Sequence, residues 1–92
     1  MATYVMFGTY SPEAIKGISA KRSDEAKALI KKEGGELKAA YALLGDIDLL
    51  LIVDLPDPAH VMRAAAALNR LTGIAFASAP ALPIEEFDKA MA

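Results

Sequence analysis

Asp48 is the residue of this chain whose type and position are most typical of a reaction site. It lies between Ile47 and Leu49, at the start of an apolar segment. A carboxylate that is partly removed from water becomes a better proton acceptor, as a general base requires. An aspartate beside a predicted hairpin also accepts backbone N–H bonds and fixes the turn. The sequence is compatible with both roles, general base and turn anchor.

Aromatic and sulfur-containing side chains supply the other candidates. Tyr41 lies on the strand predicted to pair with that of Asp48, where its hydroxyl would orient a substrate; alternatively it fills the core with its hydroxyl bonded. Tyr4, Met6 and Phe7 belong to the first predicted strand, and they either line an apolar substrate pocket or fill the core. Asp48 and Tyr41 are therefore the catalytic candidates, and these three residues are the pocket candidates.

The remaining polar residues predict no metal site and no cofactor. The chain has one histidine, His60, and no cysteine, which makes a zinc site within one chain improbable. Asp54 and Asp57 flank Pro56, but Asp57 is explained as the N-cap of a helix. No glycine-rich phosphate loop or nucleophile elbow is present.

Composition excludes several classes of partner. The net charge of −2 does not favour nucleic acid. The longest apolar run, residues 49–53, is far shorter than the roughly 18 residues of a membrane span. The first residues have no basic segment before an apolar one, so we expect no signal peptide and a cytoplasmic protein.

The pattern of hydrophobic residues and turn signals predicts the order β-α-β-β-α-β with a helical tail. We expect strands at residues 3–7, 36–44, 47–54 and 74–79, and helices at residues 12–33, 58–72 and 84–91. Alternation along the second strand places Leu37, Ala39, Tyr41 and Leu43 on one face. The first helix should kink or break near residues 17–21, because Gly17 and Ser19 weaken it. Gly45-Asp46 suits a two-residue hairpin turn. This order is the split βαβ pattern, so we predict an α+β, ferredoxin-like domain with a short C-terminal helix over residues 1–92.

Two features predict a homodimer, or a higher oligomer. Hydrophobic residues make up 54% of the chain, against about 45–50% in typical domains. In addition, the third predicted strand is apolar on both faces, whereas helices cover only one face of a ferredoxin-like sheet. A second copy of the chain would cover the other face.

Five short signals are spread over nearly the whole chain: residues 2–5, 34–38, 44–48 and 54–57, and Gly73 after a leucine-rich helix. In these signals the chain resembles the GYD domain family, a group of small bacterial and archaeal proteins. The resemblance implies a ferredoxin-like fold of the dimeric α/β-barrel type, in which two sheets face each other. It implies no established activity.

The chain departs from the family pattern at two places. Ile47 stands where the family has the tyrosine of its name, so no role of that hydroxyl carries over. The fourth strand, residues 76–81, lacks the arginine common there. Arg22 matches an arginine often found at the start of the family's long helix, where an ion pair or a helix contact is expected.

Two functions remain open from the sequence. One is a small-molecule-binding or structural dimer, which would hold an apolar molecule and has no strong catalytic machinery. The other is a cofactor-independent enzyme, monooxygenase-like or isomerase-like, in which Asp48 acts as the base and Tyr41 orients the substrate.

Overall fold

A computed structural model describes all residues from 1 to 92. It contains four strands and four helices in the following order: β1 (Ala2–Tyr10), α1 (Pro12–Lys16), α2 (Ala20–Lys32), β2 (Glu36–Ala42), β3 (Leu49–Leu55), α3 (Pro58–Thr72), β4 (Ile74–Ala81) and α4 (Ile84–Met91). None of these helices combines the length and the apolar character needed to cross a membrane.

The strands form one antiparallel sheet in the order β2-β3-β1-β4. The first and third strands in sequence are therefore neighbours at its centre, and the second and fourth are its edges. This is the ferredoxin-like arrangement, which confirms the predicted fold.

Side-chain caps explain where the helices begin and end. Ser11 Oγ accepts a hydrogen bond from Ala14 N at 3.1 Å, and Ser19 Oγ accepts one from Arg22 N at 3.1 Å. Because Ser19 starts a new helix directly after Gly17, the predicted break is a true separation of α1 from α2. At the end of α3, Gly73 adopts a left-handed conformation with φ 77°.

The helices pack on one face of the sheet, and the core lies between them. Met6, Val53 and Leu55 of the sheet meet Ile30 of α2 and Leu68 of α3, and these five are the largest fully buried side chains. Only 13 of the 92 residues are buried in a single chain. Since 54% of the residues are hydrophobic, most of the hydrophobic side chains lie outside this core.

The other face of the sheet, here called the open face, is apolar and carries no helix. At its centre lie Val5, Phe7, Leu50 and Ile52, all half-buried, and the exposed alanines of β4 extend it. The prediction that the third strand is apolar on both faces is confirmed: Leu51, Val53 and Leu55 point to the helices, while Leu50 and Ile52 point away from them.

Strand β2 does not follow the regular alternation expected of it. The pattern placed Leu37, Ala39, Tyr41 and Leu43 on one face, and this is wrong. A β-bulge leaves Lys38 as an extra residue between Leu37, which pairs with Val53, and Ala39, which pairs with Ile52. Leu37 therefore faces the helices, while Ala39 and Tyr41 lie on the open face.

The hairpin between β2 and β3 is also longer than the two-residue turn expected at Gly45-Asp46. Leu43 N donates to Asp48 O at 2.9 Å, and β3 begins only at Leu49. The physical reason is that Asp48 is bound to β1: its N–H donates to Gly8 O at 2.9 Å. This pairing of Asp48 with β1 keeps Asp48 out of a two-residue turn at Gly45-Asp46.

Gly35, at the entry to β2, offers a test of this packing. A Cβ atom there would overlap the carbonyl oxygen of Asp54 and lie 2.5 Å from Leu55 Cδ2. We predict that Gly35→Ala lowers the free energy of unfolding by about 2 kcal/mol or more, since the backbone must move. Urea denaturation followed by circular dichroism measures this loss.

Gly17→Ala is the matched control, because the nearest atom to a Cβ there belongs to the side chain of Arg22, at 3.0 Å, and the nearest backbone atom, Glu13 O, lies at 3.5 Å. It should change stability by well under 1 kcal/mol. Equal effects of the two substitutions would contradict the packing described at Gly35.

Candidate functional site

Asp48 sits half-buried beside β1, with both its backbone and its side chain engaged. Its carboxylate Oδ2 accepts a hydrogen bond from Tyr10 N at 2.9 Å, and its own N–H donates to Gly8 O. These two contacts tie the end of the hairpin to the end of β1. They are the contacts that a turn anchor makes, and they occupy part of the carboxylate that a general base would need free.

The other candidates from the sequence do not converge on Asp48. Tyr41 lies opposite Leu50 and is 56% exposed on the open face, whereas Asp48 is opposite Leu43. Tyr4 and Met6 are buried toward the helices, while Phe7, the residue after Met6, lies on the open face. These three side chains therefore do not line one pocket.

A cavity of about 100 Å³ lies between the sheet and the helices, near the end of β1. Twelve residues line it, and nine of them are hydrophobic. Its large apolar side chains belong to β2, β3, β4 and α3: Leu37, Leu49, Leu51, Leu68, Ile74 and Phe76. Two alanines, Ala26 of α2 and Ala40 of β2, complete the apolar part.

Arg22 and Tyr10 carry the polar character of this cavity. One Arg22 Nη donates to the carbonyl oxygen of Ala14, and the guanidinium lies 5.7 Å from the centre of the Tyr10 ring. No carboxylate lies within 4.0 Å of Arg22. Arg22 therefore makes the helix contact implied by the family resemblance, and it makes no ion pair.

The two remaining polar residues of the cavity are satisfied within the chain. Thr72 Oγ1 donates to Leu68 O at 2.6 Å and accepts from Ile74 N at 3.1 Å. Ser23 Oγ donates to Ser19 O at 3.3 Å. The groups left to meet a bound molecule are thus the remaining N–H donors of Arg22 and the hydroxyl of Tyr10.

Sequence reasoning did not select this pair, although one signal was available. Lys21 and Arg22 stand in the first turn of α2, which contains no acidic residue. Cations are unfavourable at the positive end of a helix dipole. A local rule broken in this way is typical of a functional position.

The single histidine lies away from the cavity, at the start of α3. His60 Nδ1 donates to Asp57 Oδ1 at 2.7 Å, and His60 N donates to the same oxygen at 2.9 Å. These hydrogen bonds from the side chain and the backbone of His60 lower the pKa of Asp57. Asp57 therefore stays ionised as a helix cap. No group of three or more His, Asp or Glu side chains comes together in the chain.

Substitutions of Asp48 distinguish the turn anchor from the base. We predict that Asp48→Ala lowers the free energy of unfolding by about 1–2 kcal/mol, because Tyr10 N loses its acceptor. Asp48→Asn keeps an acceptor oxygen and should lose less than half of that. Thermal denaturation of both variants measures the difference; equal losses would contradict the anchor role.

Comparison with solved structures shows the same fold. The chain is similar to the crystal structure of the Mycobacterium tuberculosis leucine response regulatory protein, with a TM-score of 0.59 and 12% identity over 89% of this chain. A crystal structure of a glutamate-to-alanine mutant gives a TM-score of 0.58 and 13% identity over 89% of this chain. The chain spans about half the length of these two proteins, 51% and 50% respectively.

Comparison with sequences identifies the family. No curated protein sequence matches the chain significantly. The GYD domain model matches residues 4–91. This range includes every residue that lines the cavity and the whole sheet except its first two positions. The chain is therefore a member of the GYD domain family.

Proposed function

We propose that this protein is a homodimer that binds a small, largely apolar molecule and has no strong catalytic machinery. The observation that carries the proposal is the cavity between the sheet and the helices, whose walls are mostly hydrophobic side chains. Ligand sites are concave and mostly apolar, with a few polar groups that orient the ligand. The single domain over residues 1–92 and the cytoplasmic location stay predictions.

The side chains that line the cavity favour binding over catalysis. General acid–base chemistry needs a proton donor and acceptor within hydrogen-bond reach of the substrate. Neither Asp48 nor any other carboxylate lines the cavity, and Tyr41 lies on the opposite face of the sheet. A cofactor-independent enzyme with Asp48 as its base remains the second candidate, and no contact in the cavity supports it.

A second copy of the chain is the occupant we propose for the open face. Strands of seven to nine residues, four abreast, make a face of roughly 500 Å² in projection. Its charged groups lie at one corner, where Lys38 is 3.9 Å from both Glu36 and Asp54. One ammonium faces two carboxylates, so this corner keeps a net charge of −1. It lies at the rim of the face, away from the apolar centre that an identical surface would cover.

Helix α4 supplies further area for the same interface. It has no buried residue, and its apolar side chains Ile84, Phe87 and Met91 are 66%, 45% and 68% exposed. Its first turn lies at the end of β4, at the rim of the open face, since Glu86 shares a groove with Ala2, Thr3, Pro80 and Ala81. A stable dimer needs about 800 Å² from each partner; the open face accounts for roughly 500 Å² of this, and the exposed apolar side chains of α4 are the proposed source of the rest.

The proposed interface is tested by a charge placed on the open face. Ala77 is exposed on the open face opposite Phe7. We predict that the unmodified chain sediments at twice its 9.7 kDa mass at micromolar concentration. Ala77→Glu should weaken the dimer by about tenfold or more, because two carboxylates would be buried without partners.

Ala66→Glu is the matched control, since Ala66 is exposed on α3, which packs on the opposite face. It should leave the sedimentation coefficient unchanged. A monomeric unmodified chain, or equal dissociation by both substitutions, would overturn the interface.

Binding in the cavity is tested with a neutral probe, isohexanol, followed by amide chemical shifts in NMR. We predict saturable shifts at residues that line the cavity. Ala26→Leu should abolish them, because the larger side chain of α2 fills the space. Ala28→Leu, on the exposed side of the same helix, is the control and should bind as the unmodified chain does. Shifts that persist in Ala26→Leu would contradict binding at this cavity.

A further inference from the structure

We infer that the cavity takes a small carboxylate with a short branched or cyclic carbon skeleton, and that Arg22 binds the carboxylate group. This inference rests on the proposed binding function and adds the chemical class of the ligand. It is argued from the unpaired charge of Arg22, the position of that charge on α2, the lining of the cavity and its size.

The first argument is the state of Arg22. Its side chain is half-buried at the cavity, no carboxylate lies within 4.0 Å of it, and one of its five N–H donors is used by Ala14 O. Removing a cation from water without an anion beside it costs free energy. The contacts with Ala14 O and with the Tyr10 ring hold the guanidinium in place, so its planar fork is ready for a carboxylate.

The second argument is the helix that carries it. Lys21 and Arg22 occupy the first turn of α2, where the helix dipole is positive and where the chain places no acid. This arrangement is unfavourable for the free protein. An anion bound beside Arg22 would be attracted by both the guanidinium and the helix end, and would remove the conflict.

The third argument is what the cavity lacks. None of its twelve lining residues is Asp or Glu. An ammonium group bound in the cavity would therefore lose water without gaining an ionic partner. The lining thus favours a plain carboxylate over a zwitterion such as a free amino acid.

The fourth argument is size. The cavity measures about 100 Å³, whereas an engineered cavity of about 150 Å³ is known to hold benzene. By the same ratio about four carbon atoms fit inside, with the carboxylate and the carbon next to it left at Arg22. Leu49, Leu68 and Phe76 would pack against this carbon group, and the hydroxyl of Tyr10 is available as a second donor to the carboxylate.

The test compares three probes that share one carbon skeleton, by calorimetry and NMR titration at neutral pH. Isocaproate is the carboxylate, isohexanol is its neutral alcohol, and leucine is its zwitterionic relative. We expect the unmodified protein to bind isocaproate about tenfold or more tightly than either of the other two, as a charge-assisted bidentate contact predicts.

Arg22→Met removes the charge and keeps a long apolar side chain. It should weaken the binding of isocaproate by about tenfold or more. The binding of isohexanol should stay unchanged, which also shows that the variant is folded with its cavity intact. Lys21→Met removes a charge from the same helical turn, on a side chain that is 87% exposed. It should leave isocaproate binding within about twofold, since exposed charges are screened.

The outcomes separate this inference from the proposed function. If isohexanol binds as tightly as isocaproate, or if Arg22→Met and Lys21→Met act equally, the carboxylate assignment is overturned and the binding function stands. If leucine binds more tightly than isocaproate, the ligand class is wrong. If none of the three probes binds, both the inference and the binding function fail, whatever the oligomeric state.

Discussion

The covering of a sheet that is apolar on both faces is the constraint on which the rest of the structure depends. Strands β1 and β3 lie at its centre, so every second residue of each points to the helices and every other one points away. Helices α2 and α3 shield one side, with Met6 and Val53 fully buried there. The chain has no further layer for Phe7 and Ile52, which lie on the open face. Both the small core and the proposed interface follow from this.

The same geometry decides where a ligand can be held. Large side chains fill most of the space between the helices and the sheet, whereas the small side chains of Ala26 and Ala40 line the cavity. Gly8 forms part of the sheet there, and a Cβ atom on it would lie 3.0 Å from both Ile74 Cγ2 and Phe76 Cε1. Small residues on three elements thus leave room that the larger side chains then enclose.

Much of the fold could be predicted from the sequence, because its signals are local. Caps at Ser11 and Asp57, the break after Gly17 and the left-handed Gly73 depend on neighbours a few residues away. The hairpin and the faces of β2 could not be predicted, because they depend on distant contacts: Asp48 with Gly8 and Tyr10, and the pairing of β2 with β3.

The candidate site was predicted less well for the same reason. Asp48 was selected for its apolar neighbours in sequence, but its partners come from β1, 38 residues away at Tyr10. Arg22 was expected from the family resemblance to make an ion pair or a helix contact. Only the assembled fold shows that no carboxylate reaches it.

The bulge at Lys38 has a consequence for how relatives are compared. Because Lys38 is the extra residue, a chain that lacked it would keep Leu37 toward the helices and Tyr41 on the open face, now in a regular strand. Deletion or insertion of one residue at this position therefore leaves the two faces of β2 as they are. Alignments of this strand should admit a gap of a single residue, since forcing them without one would equate inward positions with outward ones.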